Sequence, residues 1–232
     1  MNRDCAPKER PMIIKQLTVG HMAVFCYLIG CEATGEALVI DPAGDERRVA
    51  TEAANAGLDI KYIFNSHGHP DHSCGNALMK ELTGAAVVMH AADDDLFNSP
   101  EGAQMARMWG FTPSPPADIR LENQDNFTVG RVTLDLIHTP GHTPGGLCLL
   151  AEGNLFTGDT LFVGSGGRTD LPGASLPTML QSIRKLMALP DETVVWPGHD
   201  YGDVPRSTIG REKKTNVYVV EFDLLSDQGG GT

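Results

Sequence analysis

The stretch FNSHGHPDHSCGN, Phe64 to Asn76, sets His67, His69, Asp71 and His72 within six consecutive positions of a chain that holds eight histidines in all. The apolar run IKYIF, Ile60 to Phe64, leads into it, so the cluster falls where a buried strand is expected to end. Imidazole and carboxylate are the usual ligands of zinc and related divalent metals. His67 and His69 are two residues apart, and on an extended chain they point to the same side. Asp71 and His72 follow Pro70, which fixes a turn, while Gly68 leaves the backbone free to bend. One short loop thus offers four donors in two directions, which suits two metal ions better than one.

Three more donors lie further along. His142 stands in HTPGHTPGG, Asp159 in FTGDT and His199 in WPGHD, each just after an expected strand and in a turn rich in Gly or Pro. Loops at strand ends over a rigid scaffold are where binding and catalytic groups collect. Five histidines and two aspartates are enough for two sites of three or four ligands that share one carboxylate.

Around these motifs the chain alternates β-rich and helical segments. IIKQLTV, AVFCYLIG, EALVIDP, IKYIF, AAVVMH, VTLDLIHTP, GLCLLAEG, NLFTGD and ETVVWPGH read as strands. DERRVATEAANAG and GNALMKELTG read as helices, each ended by a glycine. LPTMLQSIRKLMAL, Leu176 to Leu189, is the clearest amphipathic helix, with Leu180, Ile183, Leu186 and Met187 at helical spacing. The expected fold class is α/β, as a single domain over residues 12–225, with a flexible segment at 1–11 and a frayed Gly-rich tail at 226–232. Residues 91–120 contain two short helical patterns and the Pro-rich loop FTPSPPAD, and read as an excursion that is either a lid over a site or a surface connection. Trp109 and Phe111, within it, are candidates for an apolar substrate wall or for plain packing.

The net charge of -12 argues against binding to nucleic acid or to an anionic membrane. No apolar run approaches the ~20 residues of a membrane span, and the polar start MNRDCAPKERP has no signal-peptide core. A cytoplasmic protein is the expectation. Five cysteines without a CxxC pair suit reduced thiols. Cys74, near an expected helix start where its thiol pKa could fall, and Cys148 both read as small packed residues. His138, His21 and His90 read as structural, with His21 near the site.

HGHPDH, followed in order by PGHTPGG, FTGDTLF and WPGHDYG, resembles the metallo-β-lactamase superfamily from about Met12 to His199. The resemblance implies an αββα sandwich with the metals at one edge between two sheets. It implies one metal on His67, His69 and His142, a second on Asp71, His72 and His199, and Asp159 bridging them. Zn is the expected metal of such a pair, with Fe or Mn as alternatives. A water shared by two metals has a lowered pKa and can attack a carbonyl as hydroxide, with Asp71 orienting it. Metal-assisted hydrolysis of a thioester follows as the expected reaction.

FTGDTLFVGSGGRTDLPG, PGHDYG and STIGREKKTN resemble the short glyoxalase II-like branch, the hydroxyacylglutathione hydrolases. Its substrates are small glutathione-linked molecules. Full-length members carry a helical C-terminal region for glutathione, whereas 33 residues follow His199 here; Arg211, Lys213 and Lys214 are the candidate remnant. Val217 stands after Asn216 where the branch tends to have proline. The persulfide dioxygenases are the alternative: they are similar in fold and in GRTD (Gly167 to Asp170), and the resemblance implies a single Fe on His67, His142 and Asp159. Arg168 and Asp170 read as a pair bracing the site loop ahead of a substrate contact. A metal-binding module without turnover predicts a closed site, which loops so rich in Gly and Pro disfavour. The sequence leaves the oligomeric state open.

Overall fold

A computed structural model describes residues 12–226; the expectations for 1–11 and for 227–232 lie outside the described residues. Two six-stranded mixed sheets form the centre. The first runs β1 (Met12–Val19), β2 (Val24–Cys31), β3 (Glu36–Ile40), β4 (Asp59–Phe64), β5 (Ala86–His90) and β6 (Ile119–Leu121), in that spatial order. Its β1–β2–β3 part is antiparallel and its β3–β4–β5–β6 part parallel. The second contains β7 (Asn126–Val129), β8 (Val132–His138), β9 (Leu147–Ala151), β10 (Asn154–Gly158), β11 (Val194–Pro197) and β12 (Ser207–Thr208). It is antiparallel except for the parallel pair β10–β11.

The alternation of side chains along a strand explains the layering. On β2, Tyr27 and Ile29 face the second sheet and pack with Leu134, Leu149, Phe156 and Trp196. Cys26 and Leu28 face the other way, against Val49 and Ala53 of α1 (Glu46–Asn55) and Met79 of α3 (Asn76–Thr83). Both faces are therefore buried, and β2 reads as a continuous apolar run. On the far side, Met179, Ile183 and Leu186 of α6 (Leu176–Met187) cover Cys148, Leu155 and Val195. α7 (Ile209–Thr215) and α8 (Val217–Glu221) complete that layer through Ile209 and Val219. The order helix, sheet, sheet, helix is an αββα sandwich.

Two expectations are refined. The amphipathic helix stops at Met187, where Ala188 caps it, rather than at Leu189. The 91–120 segment holds α4 (Ala91–Phe97) and α5 (Pro100–Met108), and then rejoins the core as β6, pairing Val88 with Ile119. A strand of three residues has too little alternation to stand out in a sequence. No helix among the described residues is long and apolar enough to cross a membrane.

Candidate metal centre

Every donor singled out from the sequence follows the C-terminal end of a strand. β4 ends at Phe64, and Asn65 still donates its N–H to Val88 O at 2.9 Å. The chain then leaves the sheet and enters the single-turn helix α2 (Pro70–Ser73), with Pro70 at its first position where no N–H is needed. Gly68 is required here, because a side chain would overlap the Phe97 ring. The loop after β8 closes through Thr139 N to Gly146 O (2.8 Å) and presents His142. Asp159 follows β10 and His199 follows β11, and the parallel pairing of these strands sets the two side by side. Gly198 N donates to Gly158 O at 2.8 Å, an approach that any side chain on Gly198 would block by overlapping Asp159 Oδ1.

The second ring nitrogen of each histidine fixes the tautomer. His142 Nδ1 donates to Arg168 O at 2.7 Å and His199 Nδ1 to Met22 O at 3.2 Å; a carbonyl can only accept. His72 Nδ1 donates to Asp41 Oδ2 at 3.0 Å. Ser66 Oγ spends its proton on Asp41 Oδ2 (2.6 Å), so His67 Nδ1 must donate to Ser66 Oγ (3.1 Å). In the neutral rings all four Nε2 atoms therefore carry lone pairs. They converge: His72 Nε2 lies 3.0 Å from His199 Nε2, and His142 Nε2 lies 2.8 Å from His69 Nδ1.

Asp159 stands between the two groups. Its Oδ1 is 3.4 Å from His72 Nε2, and its Oδ2 is 3.5 Å from His199 Nε2 and 3.6 Å from His142 Nε2. Asp71 Oδ2 lies 3.6 Å from His199 Nε2 and 3.7 Å from His72 Nε2. One ligand atom from each of His67, His69 and His142 falls within a 4.8 Å cluster, and so does one from each of Asp71, His72 and His199. Tetrahedral ligands held 2.0–2.2 Å from an ion stand roughly 3.3–3.6 Å apart, close to these separations. His67 Nε2, His69 Nε2 and Asp159 Oδ1 are buried without a hydrogen-bond partner. Buried polar atoms are normally paired. Facing lone pairs beside two carboxylates are stabilised by cations, and imidazole with carboxylate fits divalent Zn, Fe or Mn. Both groups have the donor set to hold a metal ion.

The electrostatics agree. Burial, foremost, drives His67 well below the ordinary imidazole pKa, and with His142 it drives His69 down to about 3. Burial would lower His72 too, but Asp159 and Asp71 outweigh it and hold its pKa well above the ordinary value. For Asp159 and Asp71, burial would raise the pKa, yet His72 leads the opposing groups and both end lowered. Both carboxylates are thus kept anionic.

Two buried aspartates were missed in the sequence. Asp41, just beyond β3 and at a left-handed φ of 50°, accepts from Ser66 N, Ser66 Oγ and His72 Nδ1. It thereby orients His67 and His72 together. Asp93, on α4, accepts from Gly68 N (2.7 Å), Thr143 Oγ1 (2.7 Å) and Gly145 N (2.6 Å). It ties the loop of His67 and His69 to the loop of His142. The DP after a strand was a faint signal for Asp41; nothing marks Asp93 among three consecutive aspartates.

A cavity of about 700 Å³ opens over the donors, with His69, Asp71, His142, Asp159 and His199 on its floor. Trp109 and Phe111 line it, and His21 stacks on Phe111 at 5.0 Å, so part of the 91–120 excursion covers the site. Arg168 also lines it and holds Asp170 in a two-pronged ion pair (2.7 and 2.8 Å), while its carbonyl anchors His142. Arg211, Lys213 and Lys214, the candidate glutathione remnant, are not among the residues that line this cavity. Arg211 pairs with Asp203 and Lys213 with Asp191, and Lys214 borders a separate depression, because α7 turns them outward from the second sheet. His138 stacks on His90 at 4.5 Å and bonds Pro144 O, a structural pair. The Cys74 thiol is raised to about 11, chiefly by burial, and the residue ends α2 rather than starting a helix. Cys148 is packed, its thiol also raised to about 11 by burial.

Comparison with known proteins gives a consistent picture. Residues 19–199 match the family described as the metallo-beta-lactamase superfamily. A hydroxyacylglutathione hydrolase from Polaromonas sp. is 35% identical, over 87% of this chain and 72% of its own length. The mitochondrial persulfide dioxygenase ETHE1 of Homo sapiens is 30% identical, over 89% of this chain and 75% of its own. The crystal structure of TTHA1623 in a di-iron-bound form superimposes with a TM-score of 0.76 at 32% identity, covering 87% of this chain and 98% of that one.

Proposed function

The chain belongs to the metallo-beta-lactamase superfamily, and on that premise we propose that it is a metal-dependent thioester hydrolase of the glyoxalase II-like type. The observation that carries this reading is the pair of three-residue groups, His67/His69/His142 and Asp71/His72/His199, with the anionic Asp159 between them. Two metals, Zn foremost, are the assigned cofactors. When bound, such ions supply a water of lowered pKa and a Lewis acid for the carbonyl oxygen.

The rest falls to side chains. Asp71 lines the cavity as a carboxylate and is placed to orient the attacking water by accepting a hydrogen bond from it, while the proton the water gives up passes to solvent. The carbonyl carbon gains the water oxygen and the C–S bond breaks. The thiolate leaves without prior protonation, because it is a weak base. Asp41 and Arg168 O keep His72, His67 and His142 in the tautomers that aim their lone pairs inward. The His21–Phe111 stack and Trp109 shield the reacting carbonyl from bulk water. The Polaromonas relative supports a glutathione-linked substrate.

A second reading, a mononuclear-iron persulfide dioxygenase, draws support from the human relative and from His67, His142 and Asp159 as two imidazoles and one carboxylate. The deciding experiment is metal analysis of protein purified without added metal, with two assays. About two metals per chain and cleavage of S-lactoylglutathione support the hydrolase. One iron per chain, with oxygen consumed on glutathione persulfide, overturns it.

A further inference from the structure

The walls of the cavity differ in chemistry from its floor. Trp109, Phe111, Met22, Phe162, Leu171 and Tyr201 form them. Three of these large side chains stay substantially exposed: Trp109 at 41%, Met22 at 42% and Tyr201 at 59%. Apolar groups gathered and left open beside a polar site mark a surface that a ligand covers. They are held in place. His21 and Met22 come from the β1–β2 turn, Trp109 and Phe111 from the segment after α5, and the His21–Phe111 stack joins the two. Tyr201 lies flat on His199 at 4.6 Å and meets Phe162 edge-on at 5.1 Å. The aromatic wall therefore reaches the floor.

Charge is scarce by contrast. Among the described residues lining the cavity, Arg168 is the single Lys or Arg, and Asp170 takes its Nε and one terminal nitrogen. Asp71 and Asp159 offset part of the charge of the two metals proposed for the floor, and the whole chain carries -12. Among the described side chains, the two carboxylates of a glutathione carrier meet one cation here, Arg168, already paired with Asp170. Pockets of roughly 300–1,000 Å³ hold drug-sized ligands, so about 700 Å³ leaves room well beyond a small hydroxyacyl group.

We infer that this site discriminates among thioesters by an apolar, aryl or branched-alkyl acyl group seated against Trp109 and Phe111, and that the charges of the carrier thiol contribute little. The inference rests on the thioester reading above and narrows it. The acyl group lies along the aromatic wall with its carbonyl over the histidines, and the carrier points to solvent past Arg168.

Binding and turnover test the two levels separately. Four uncleavable thioethers, S-methyl and S-benzyl on glutathione and on N-acetylcysteamine, are titrated by calorimetry into the metal-loaded full chain. The benzyl compounds should bind about thirtyfold tighter than the methyl ones on either thiol, the order expected for burying an aryl group. The two carriers should differ by less than about threefold, too little for a desolvated ion pair. Trp109→Ala, and Phe111→Leu as a second variant, should shrink the benzyl preference to about fivefold or less, with metal content unchanged. Glutathione compounds that win by tenfold or more whatever their S-substituent, or a benzyl preference that survives both variants, overturn the inference. Tight benzyl binding without cleavage of the matching thioesters removes the hydrolase reading, and with it the thioester part of the inference, while the aromatic subsite stands.

Discussion

His72 and His199 meet Nε2 to Nε2 at 3.0 Å, with the Nδ1 of each already committed, to Asp41 and to the Met22 carbonyl. Neither ring can flip without losing a buried hydrogen bond, so the two lone pairs need a positive charge between them. A divalent ion or a proton supplies it.

Metal removal is the first consequence. An ion that binds only the folded chain stabilises it by about 2.7 kcal/mol at a free concentration 100 times its Kd. For a chain of this size each kcal/mol moves Tm by roughly 2–4 °C. Exhaustive chelation should therefore lower Tm by about 5–10 °C for each ion removed, and Zn should restore it. A Tm indifferent to chelator in differential scanning calorimetry would mean that the converging histidines hold no ion.

The metal-free chain should have a stability maximum near pH 6.5. His67 and His69 are held below the ordinary imidazole pKa, the latter at about 3. Below pH ~6.5 the unfolded chain takes up protons that these two refuse, so stability falls as the pH drops, by at most about 2.7 kcal/mol per unit. His72 has the opposite sign. Its pKa is raised in the fold, so its contribution is complete below ~6.5 and is lost as pH rises through the folded value. Urea midpoints at pH 5, 6.5 and 8.5 check this, and a monotonic rise across the three would sink it. Metal should erase the alkaline limb, because it competes with the proton for His72 Nε2.

The seven donors are legible because their chemistry, spacing and place after apolar runs are all local properties of the sequence. Asp41 and Asp93 are not, since their partners lie 25 to 52 residues away and half of them are backbone N–H groups. Arg211, Lys213 and Lys214 show the limit of reading charge without its partners. Positive charge is visible in a sequence, but the outward turn of α7 and the pairing with Asp203 and Asp191 are not. The α/β class was legible through apolar strands such as β2 and the amphipathic α6, whereas the sandwich came from the family resemblance. The edge strands β6 and β12 were not, being only three and two residues long.

Asp93→Ala should weaken metal binding without touching a ligand. It strands the N–H groups of Gly68 and Gly145 in the interior, at about 1–3 kcal/mol each. It also frees the His142 loop from the loop of His67 and His69. Affinity at that group should fall about 10–100-fold, the usual effect of losing a supporting partner. The group of Asp71, His72 and His199, anchored through Asp41 and Met22, should hold. Titration against a competing chelator separates the two. Asp93→Asn, which keeps acceptor capacity, should fall between Ala and the parent; equal loss at both groups would refute a local clamp.

Asp159 tests whether the two groups form one centre. Its oxygens lie 3.4 to 3.6 Å from His72, His199 and His142, and Gly198 and Gly167 are packed so closely that a side chain on either would overlap it. Asp159→Ala removes the only carboxylate among the described residues that reaches His142 as well as His72 and His199, so metal at both groups should drop together after dialysis, measured as ions per chain. Asp159→Asn separates charge from shape. It fills the same space with one acceptor and no negative charge, and so should retain at most one ion. Two ions per chain in Asp159→Ala, with unaltered chelator competition, would show that the groups bind independently and that Asp159 bridges nothing.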